Sequence, residues 1–379
     1  MIIDGNYSWA VGGDLYKKVL KLTKENTYEN GKYDPNKMEK YDFNTTRNAL
    51  HFAVVYGCEI ELFDLILSKI KDVNAVDEHG LTALMMRVER VKLTDHLTSF
   101  PAAMENVLAM FKSLLKHPEI KPNMISNETG GHSVNQTALM FAIKKYGPTY
   151  RYSQPNFADH KIKTKDSLDA IRNTGENIIL ELIKKSDLSI YGGYTQTPGG
   201  ERSRWLGFNA LHHVIYYGCS EKVFDVILAK IKEQDMDVNT PTEQQNDKYD
   251  YNKETPLMLA IGHNYYDKRR KFVPDASSKM YKYMITKLLG DENIDLNAVD
   301  GKGRTALYHA VRHKDLEDVK LLLATGKVDY TIKPKNGFTP LELAFRSKYS
   351  HIVTVLSDYI NKQGCCANPS LKVCERLKL

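Results

Sequence analysis

Short apolar segments with helical spacing recur along the chain, and polar or glycine-containing turns separate them. Leu62 to Leu67 and Val319 to Leu323 are two of these segments. Apolar positions three or four residues apart predict helices that bury one face and expose the other. Each segment follows a shorter helical stretch that begins at a Thr or Asn, so the pattern predicts a series of helix pairs.

Two parts of the chain repeat an earlier part closely. Asn48 to Lys71, NALHFAVVYGCEIELFDLILSKIK, matches Asn209 to Lys232, NALHHVIYYGCSEKVFDVILAKIK, at a constant offset of 161. Asp72 to Leu84 matches Asp295 to Leu307. Such self-similarity indicates a repeat architecture, in which each unit stacks on its neighbours to bury an apolar face that it cannot cover alone.

The repeats share a four-residue head of the form Thr/Asn-Ala/Pro-Leu-x. Thr or Asn in the first position predicts an N-cap, because its side-chain oxygen accepts a hydrogen bond from a free N–H of the first turn. Gly57 and Gly218 are predicted to end the first helix of their repeats, since glycine adopts a left-handed conformation easily. The seven heads begin at Asn48, Thr82, Thr137, Asn209, Thr255, Thr305 and Thr339.

The heads and the segments around them resemble the ankyrin repeat. Gly303 to Val328, GRTALYHAVRHKDLEDVKLLLATGKV, fits that family's pattern almost in full, and Gly337 to Ile360 fits it well. The resemblance implies an all-α fold, an ankyrin-repeat α-solenoid with β-hairpin fingers and long inserted loops. It divides the chain into an N-terminal capping half-repeat (residues 1–39), seven repeats (residues 40–362) and a flexible C-terminal tail (residues 363–379).

In the middle of the chain, successive heads are separated by more than the roughly 33 residues of an ideal unit. We therefore expect insertions, either solvated spacers or functional loops. Several combine aromatic with basic residues, and disordered spacers are usually poor in aromatic residues. The inserted loops are expected at about residues 127–135, 144–167, 191–207, 240–254 and 262–278.

The resemblance also implies where a partner protein would bind. In ankyrin arrays the fingers and first helices line a concave groove. Three positions of each repeat face this groove: the residue before the head and the two residues before the end of the first helix. Here these positions are mostly basic or aromatic, which suits an acidic protein segment with an apolar anchor. The predicted partner-binding residues, with Trp205 from a long finger, are Arg47, Tyr56, Arg90, Lys144, Lys145, Trp205, Phe208, Tyr216, Tyr217, His263, Arg304, Arg312, His313, Phe338 and Arg346. The alternative is that some of the aromatic residues pack beneath the fingers.

Composition argues against several classes of protein. Hydrophobic residues make up 42% and charged residues 26% of the chain, which is typical of globular proteins. The 53 Lys and Arg exceed the 47 Asp and Glu by a charge of +6 spread over a large surface, so nucleic acid is a less favoured partner than protein. We expect no transmembrane segment and no signal peptide. Five cysteines are too few for a disulfide framework, and we expect a cytoplasmic monomer.

Candidate catalytic chemistry is sparse. His51 and His212 are each followed seven residues later by a cysteine, Cys58 or Cys219. The resemblance implies that these histidines tie a finger to the next repeat, and cysteine at a helix turn is commonly a small buried residue. The three cysteines of the tail have no nearby His, which makes them a weak zinc site. No nucleotide-binding, zinc-protease or hydrolase motif occurs, so we expect no enzyme activity, no cofactor and no metal.

Three functional interpretations follow. The first is a non-enzymatic interaction scaffold. The second is binding of nucleic acid or anionic lipid by the basic and aromatic loops, and the third and least favoured is an enzyme with a cryptic site in the insertions. The irregular Lys-, Tyr- and Asn-rich repeats resemble ankyrin proteins of intracellular bacteria and large viruses, which would imply an effector acting on proteins in a host cytoplasm.

Overall fold

The computed structural model describes residues 39–41, 45–56, 58–77, 79–89, 100–126, 133–151, 165–196, 204–244, 253–269, 275–335 and 337–363. The chain forms two compact units, Met1–Gln234 (unit 1) and Asp235–Leu379 (unit 2). The predicted capping half-repeat before residue 39 and the predicted tail after residue 363 lie outside the described residues.

Unit 1 is mostly helical in its described part. Its helices are α1 Ala49–Tyr56, α2 Ile60–Lys69, α3 Ala83–Glu89, α4 Phe100–Lys116, α5 Ala138–Tyr146, α6 Pro148–Arg151, α7 Lys165–Lys185, α8 Ala210–Tyr217 and α9 Glu221–Glu233. Its strands are β1 Glu39–Tyr41, β2 Thr45–Arg47, β3 Ser133–Val134, β4 Gly192–Gln196 and β5 Arg204–Phe208. β1 pairs with β2, and β4 pairs with β3 and β5, all antiparallel.

Unit 2 continues the same arrangement of helix pairs. It begins with the short strand β6 Glu243–Gln244. Its helices are α10 Pro256–Arg269, α11 Asp275–Leu289, α12 Ala306–Arg312, α13 Leu316–Ala324, α14 Pro340–Arg346 and α15 Ser350–Lys362. The described parts of the two units together hold seven helix pairs, one after each predicted head.

All seven predicted N-caps are present. In each head the side-chain oxygen of Thr or Asn accepts a hydrogen bond from the backbone N–H three residues later, at 3.1 to 3.4 Å. Gly218 ends α8 with a φ of 84°, as predicted. Gly57 lies outside the described residues. The helix starts are therefore determined locally, by residues three apart in the chain.

The helix pairs stack in two rows within each unit. In unit 1 the first helices α1, α3, α5 and α8 pack in succession, as do the second helices α2, α4, α7 and α9. In unit 2 the rows are α10, α12 and α14, and α11, α13 and α15. The Leu of every head is buried in this stack, as a repeat architecture requires. These residues are Leu50, Leu84, Leu139, Leu211, Leu257, Leu307 and Leu341.

Asn side chains join the loops of successive repeats. Nδ2 of Asn297 donates to the backbone oxygen of Lys327 at 3.1 Å, and its Oδ1 accepts from the backbone N–H of Asp329 at 2.7 Å. Asn74 and Asn239 make the equivalent pair of bonds in their own repeats. Because an amide both donates and accepts, each Asn satisfies two backbone groups of the next loop.

The structure corrects the extent of the predicted inserted loops. Residues 262–269 continue α10 and residues 275–278 begin α11, so most of the loop expected at residues 262–278 is helical. The loop expected at residues 144–167 overlaps the end of α5, contains α6 and overlaps the start of α7. The finger expected at residues 191–207 is a hairpin of β4 and β5, in which Tyr194 lies opposite Leu206.

Contacts with neighbouring helices explain why α10 continues past its expected end. His263 stacks on Tyr281 of α11, with ring centroids 5.9 Å apart. Asn264 is buried, and its Nδ2 donates to Oδ2 of Asp318 at 2.9 Å and to Oδ2 of Asp315 at 3.4 Å. A buried amide between two buried carboxylates holds this turn of α10 against the start of α13.

Replacing Asn264 with Ala is expected to lower the free energy of unfolding by on the order of 1.5 kcal/mol, because two buried carboxylates lose a hydrogen-bond donor. Equilibrium urea unfolding followed by circular dichroism measures the change. The matched control is Asn293→Ala at an exposed position of the same unit, which is expected to change stability by less than about 0.5 kcal/mol. Equal effects of the two substitutions would contradict a structural role for the buried amide.

Arg172 of α7 anchors the short helix α6. Its Nε and Nη2 donate to the backbone oxygen of Thr149 at 2.9 and 2.7 Å. The hydroxyl of Thr149 donates to the backbone oxygen of Tyr146 at 2.6 Å. The first turn after α5 is therefore part of the packed structure rather than a solvated spacer.

Candidate functional site

Five rings in and beside α8 form one aromatic cluster in unit 1. The Phe208 ring centroid lies 5.8 Å from that of His212, 5.6 Å from that of His213 and 5.3 Å from that of Tyr216. The Tyr217 centroid lies 5.9 Å from that of His213 and 5.0 Å from that of Tyr216. These separations are typical of attractive aromatic pairs.

Helical spacing decides which rings of the aromatic cluster reach the surface. Phe208 ends β5 directly before the N-cap Asn209, and His212 and His213 lie in the first turn of α8; all three rings are buried. Tyr216 and Tyr217 follow four residues after the two histidines, one turn further along the same face. Both tyrosines are half-buried. The cluster therefore has two partly exposed tyrosine rings that pack on three buried rings.

Two basic residues lie at the end of α5, the helix that packs on α8. Helix α5 packs on α8, and a Cβ added to Gly147, which follows α5, would lie 3.1 Å from Cβ of Tyr217. Lys144 and Lys145 occupy the last turn of α5 and are half-buried. The charge of Lys144 acts on the His213 ring. The end of α5, which carries Lys144, thus lies near the part of α8 that carries His213 and Tyr217.

His213 is neutral at pH 7. Its Nδ1 donates to the backbone oxygen of Asn209 at 3.0 Å. Burial lowers the pKa of His213 to about 4; the bond to Asn209 opposes this shift, and the charge of Lys144 adds to it. Desolvation disfavours the charged imidazolium, so the ring packs as an uncharged aromatic group.

The histidines in the fourth position of the heads have structural contacts. Nδ1 of His51 accepts from the backbone N–H of Asn48 at 3.3 Å, and its Nε2 donates to the backbone oxygen of Ala75 in the following turn at 3.0 Å. In α8, Nδ1 of His212 accepts from the N–H of Asn209 in a capping box. Burial raises the pKa of Cys219, so this thiol stays protonated at neutral pH.

A buried carboxylate organises the turn before α12 in unit 2. Oδ1 of Asp300 accepts from the backbone N–H groups of Lys302 and Arg304, both at 2.9 Å. Its Oδ2 accepts from Nε of Arg304 at 2.7 Å and from Nε2 of His309 at 2.9 Å. Burial alone would raise the pKa of Asp300, but the hydrogen bonds from His309 and Arg304 outweigh it and hold the pKa well below its usual value.

One group of potential metal ligands occurs among the described residues. Glu254, Asp300 and His309 each place a ligand atom within 4.8 Å of the others. Asp300 already accepts hydrogen bonds on both oxygens, and the guanidinium of Arg304 lies 2.6 Å from its Oδ2. A metal ion there would have to displace or repel a fixed positive charge, so these residues do not fit a metal site.

The structure places the predicted partner-binding residues in different surroundings. Lys144, Lys145, Tyr216, Tyr217, His263 and Phe338 are half-buried, and Arg312 and Arg346 are exposed. The side chains of Arg47, Tyr56, Arg90 and Trp205 lie outside the described residues.

Three predicted partner-binding residues require correction, because a partner cannot reach a buried side chain. Phe208 is only 2% exposed and forms the centre of the aromatic cluster. Arg304 is 8% exposed and pairs with Asp300. His313 is 7% exposed, and burial, followed by the charges of nearby basic groups, lowers its pKa to about 4.

Two exposed lysines are not among the predicted partner-binding residues, although their position within the repeat sets them apart. Lys314 and Lys348 stand nine residues after the heads at Thr305 and Thr339, the position that Gly218 occupies after Asn209. A charged residue at a position where another repeat has glycine is the feature that could have identified them.

Comparisons with known proteins agree with the helix pairs of unit 2. Residues 275–366 match a family model described as Ankyrin repeats (3 copies). The crystal structure of the ankyrin repeat domain of Bcl-3, a unique member of the IkappaB protein family, is similar over 82% of this chain and 98% of that chain, with 18% identity and a TM-score of 0.45. That of the human ASB11 ankyrin repeat domain is similar over 78% of this chain and 91% of that chain, with 15% identity and a TM-score of 0.43.

The chain is mostly helical over its described residues, and residues 275–366 match ankyrin repeats, so the predicted fold class is confirmed. Among the described residues, no helix combines the length and apolar character needed to cross a membrane.

Proposed function

We propose that this chain is a non-enzymatic scaffold that binds a partner protein through the surface of its first helices. Ankyrin repeats are protein-interaction modules that use the broad surface created by stacking. The observation that carries the proposal is the aromatic cluster of unit 1, where Tyr216 and Tyr217 are half-buried on α8 and the neighbouring helix α5 ends with Lys144 and Lys145.

The tyrosines are suited to anchor an interface. A Tyr ring contributes a large apolar area, its hydroxyl can hydrogen-bond, and it loses little conformational freedom on binding. Buried Phe208 contacts Tyr216, and buried His213 contacts Tyr217, so both rings are held before a partner arrives. Preorganisation of this kind lowers the entropic cost of association.

The neighbouring cations favour a partner with complementary charge. Lys144 and Lys145 place positive charge at the end of α5, the helix next to that of the tyrosine pair, and this charge attracts an acidic segment with an apolar anchor. We propose that the chain acts as a cytoplasmic monomer. As the sequence resemblance implies, its partner would be a host protein if the chain is a secreted effector.

The test is the double variant Tyr216→Ala/Tyr217→Ala in the full chain. A protein captured from eukaryotic lysate by the unaltered chain is identified by mass spectrometry, purified and titrated by calorimetry. The double variant is expected to lose at least about tenfold in affinity, because central tyrosines commonly dominate interface energy. Its melting temperature is expected to stay near that of the unaltered chain.

The matched control is Tyr330→Ala/Tyr359→Ala, which removes another half-buried tyrosine pair with ring centroids 6.1 Å apart in unit 2. This control is expected to retain the affinity. Undiminished binding by the Tyr216→Ala/Tyr217→Ala variant would refute the proposed surface. Binding that collapses at high salt and is reproduced by nucleic acid would instead favour phosphate recognition.

A further inference from the structure

Two lysines of unit 2 have backbone conformations that favour glycine. Lys314 has a φ of 60° and Lys348 a φ of 59°, directly after the turns that end α12 and α14. Gly218 takes the equivalent position of its repeat, with a φ of 84°. A residue with a Cβ is strained at positive φ. Both repeats therefore have lysine where glycine would be less strained.

The two lysines belong to a row of four cations, which we name the basic row: Arg312, Lys314, Arg346 and Lys348. All four side chains are exposed. Helices α12 and α14 pack against each other, so equivalent residues lie side by side, about 8–10 Å apart. Among the described residues, none of the four takes part in an ion pair.

Four acidic side chains of the same repeats make contacts with groups outside the basic row. The engaged groups are Asp315 and Asp318 with Asn264, Glu317 with Lys320, and Glu342 with Lys333. The four exposed side chains of the row place positive charge at the surface of unit 2.

Aromatic contacts orient two members of the basic row. The ammonium of Lys314 lies 5.2 Å from the ring centroid of Tyr349, and the guanidinium of Arg346 lies 4.3 Å from that of Phe338. Cations over aromatic faces are attracted by the ring quadrupole, which limits their motion. Phe345, next to Arg346 in α14, is 47% exposed. The row thus combines oriented charge with one accessible apolar ring.

We propose that the basic row docks an extended acidic segment of a partner protein, with Phe345 as its apolar contact. The proposal rests on the proposed function only in taking the ligand to be a protein, and it assigns a surface separate from the aromatic cluster of unit 1. Residues three apart in an extended segment are about 10 Å apart, which matches the distance between packed helices. Charge complementarity selects Asp and Glu at those positions.

A protein segment fits the basic row better than nucleic acid does. Four cations can neutralise about four phosphates, so electrostatic binding of nucleic acid by this row alone would be weak at physiological salt. A merely structural explanation is that the cations stabilise the C-terminal ends of α12 and α14 through the helix dipole. Stability and binding measurements on the same variants separate that explanation from docking.

In the test, random twelve-residue peptides displayed on phage are selected for binding to the full chain. We expect the selected peptides to be enriched in Asp and Glu and to contain an apolar residue. The double variant Lys314→Gly/Lys348→Gly is expected to bind them about tenfold more weakly in fluorescence anisotropy. Its melting temperature is expected to stay the same or rise, because glycine relieves the strain at positive φ.

The control for charge alone is Lys327→Gln/Lys362→Gln, which removes two exposed cations elsewhere in unit 2 and is expected to retain binding. Selected peptides without acidic enrichment would overturn the proposal, as would unchanged affinity in the glycine variant. Tighter binding of single-stranded DNA than of the peptides would also overturn it. The proposal would also be overturned if the Tyr216→Ala/Tyr217→Ala variant lost binding to these peptides while the glycine variant kept it. That result would show that the acidic peptides bind to unit 1.

Discussion

Replacing Gly175 with Ala is expected to lower the free energy of unfolding by about 3 kcal/mol. Gly175 lies within α7, and a Cβ there would lie 2.4 Å from Cγ and 2.6 Å from Cβ of Tyr146. Tyr146 is fully buried, so its ring cannot move aside without disturbing the core of unit 1. Helix propensity favours Ala over Gly by about 1 kcal/mol, so the steric effect decides the sign.

The control for helix propensity is Gly262→Ala in α10, where an added Cβ would meet no atom of the described residues within 4 Å. This substitution is expected to stabilise the protein by up to about 1 kcal/mol. Urea unfolding measures both changes. Circular dichroism follows the loss of helix in both variants. A Gly175→Ala protein as stable as the unaltered one would show that Tyr146 does not pack on the glycine.

Lowering the pH from 7 to 5 is expected to reduce the stability of unit 1 by about 2 kcal/mol through His213 alone, and the full loss by pH 4 is about 3 kcal/mol. Burial lowers the pKa of this residue from 6.5 to about 4 in the folded protein. Nε2 is buried, and within the described part of the chain no hydrogen-bond partner reaches it. A proton bound there would therefore bring an uncompensated charge into the aromatic cluster.

The direction of this pH dependence follows from proton binding. Above pH 6.5 the imidazole is neutral in both folded and unfolded chains, so it has no effect on stability. Between pH 6.5 and about pH 4 the unfolded chain binds a proton that the folded chain does not, so stability falls as the pH falls. Below about pH 4 both forms are protonated, and the loss is complete.

The variant His213→Leu isolates this contribution from other titrating groups. Leucine places an apolar side chain at this buried position and cannot bind a proton. The difference in unfolding free energy between the two proteins, measured by urea unfolding and circular dichroism at several pH values, is expected to shift by about 2 kcal/mol between pH 7 and pH 5. Parallel pH profiles would show that His213 is not held neutral by burial.

Part of the candidate site could be predicted from position within a repeat. Tyr216 and Tyr217 were identified because they precede the glycine that ends α8, and both reach the surface. Arg304 was misassigned because its position indicates the groove, whereas its exposure depends on Asp300, which binds its guanidinium. Lys314, a member of the proposed basic row, is not in the predicted set because the family pattern directs attention to helix faces rather than to the turn that follows them.

The amino-acid sequence alone determined the seven helix starts and the pairing of short and long helices. Each N-cap joins residues only three apart, and each apolar stripe extends over a few turns, so local rules apply. Only the tertiary structure decided how far α10 extends, because Asn264 bonds to Asp318, 54 residues away. It also decided which rings and cations remain accessible, since burial is a property of packed neighbours that local sequence patterns do not contain.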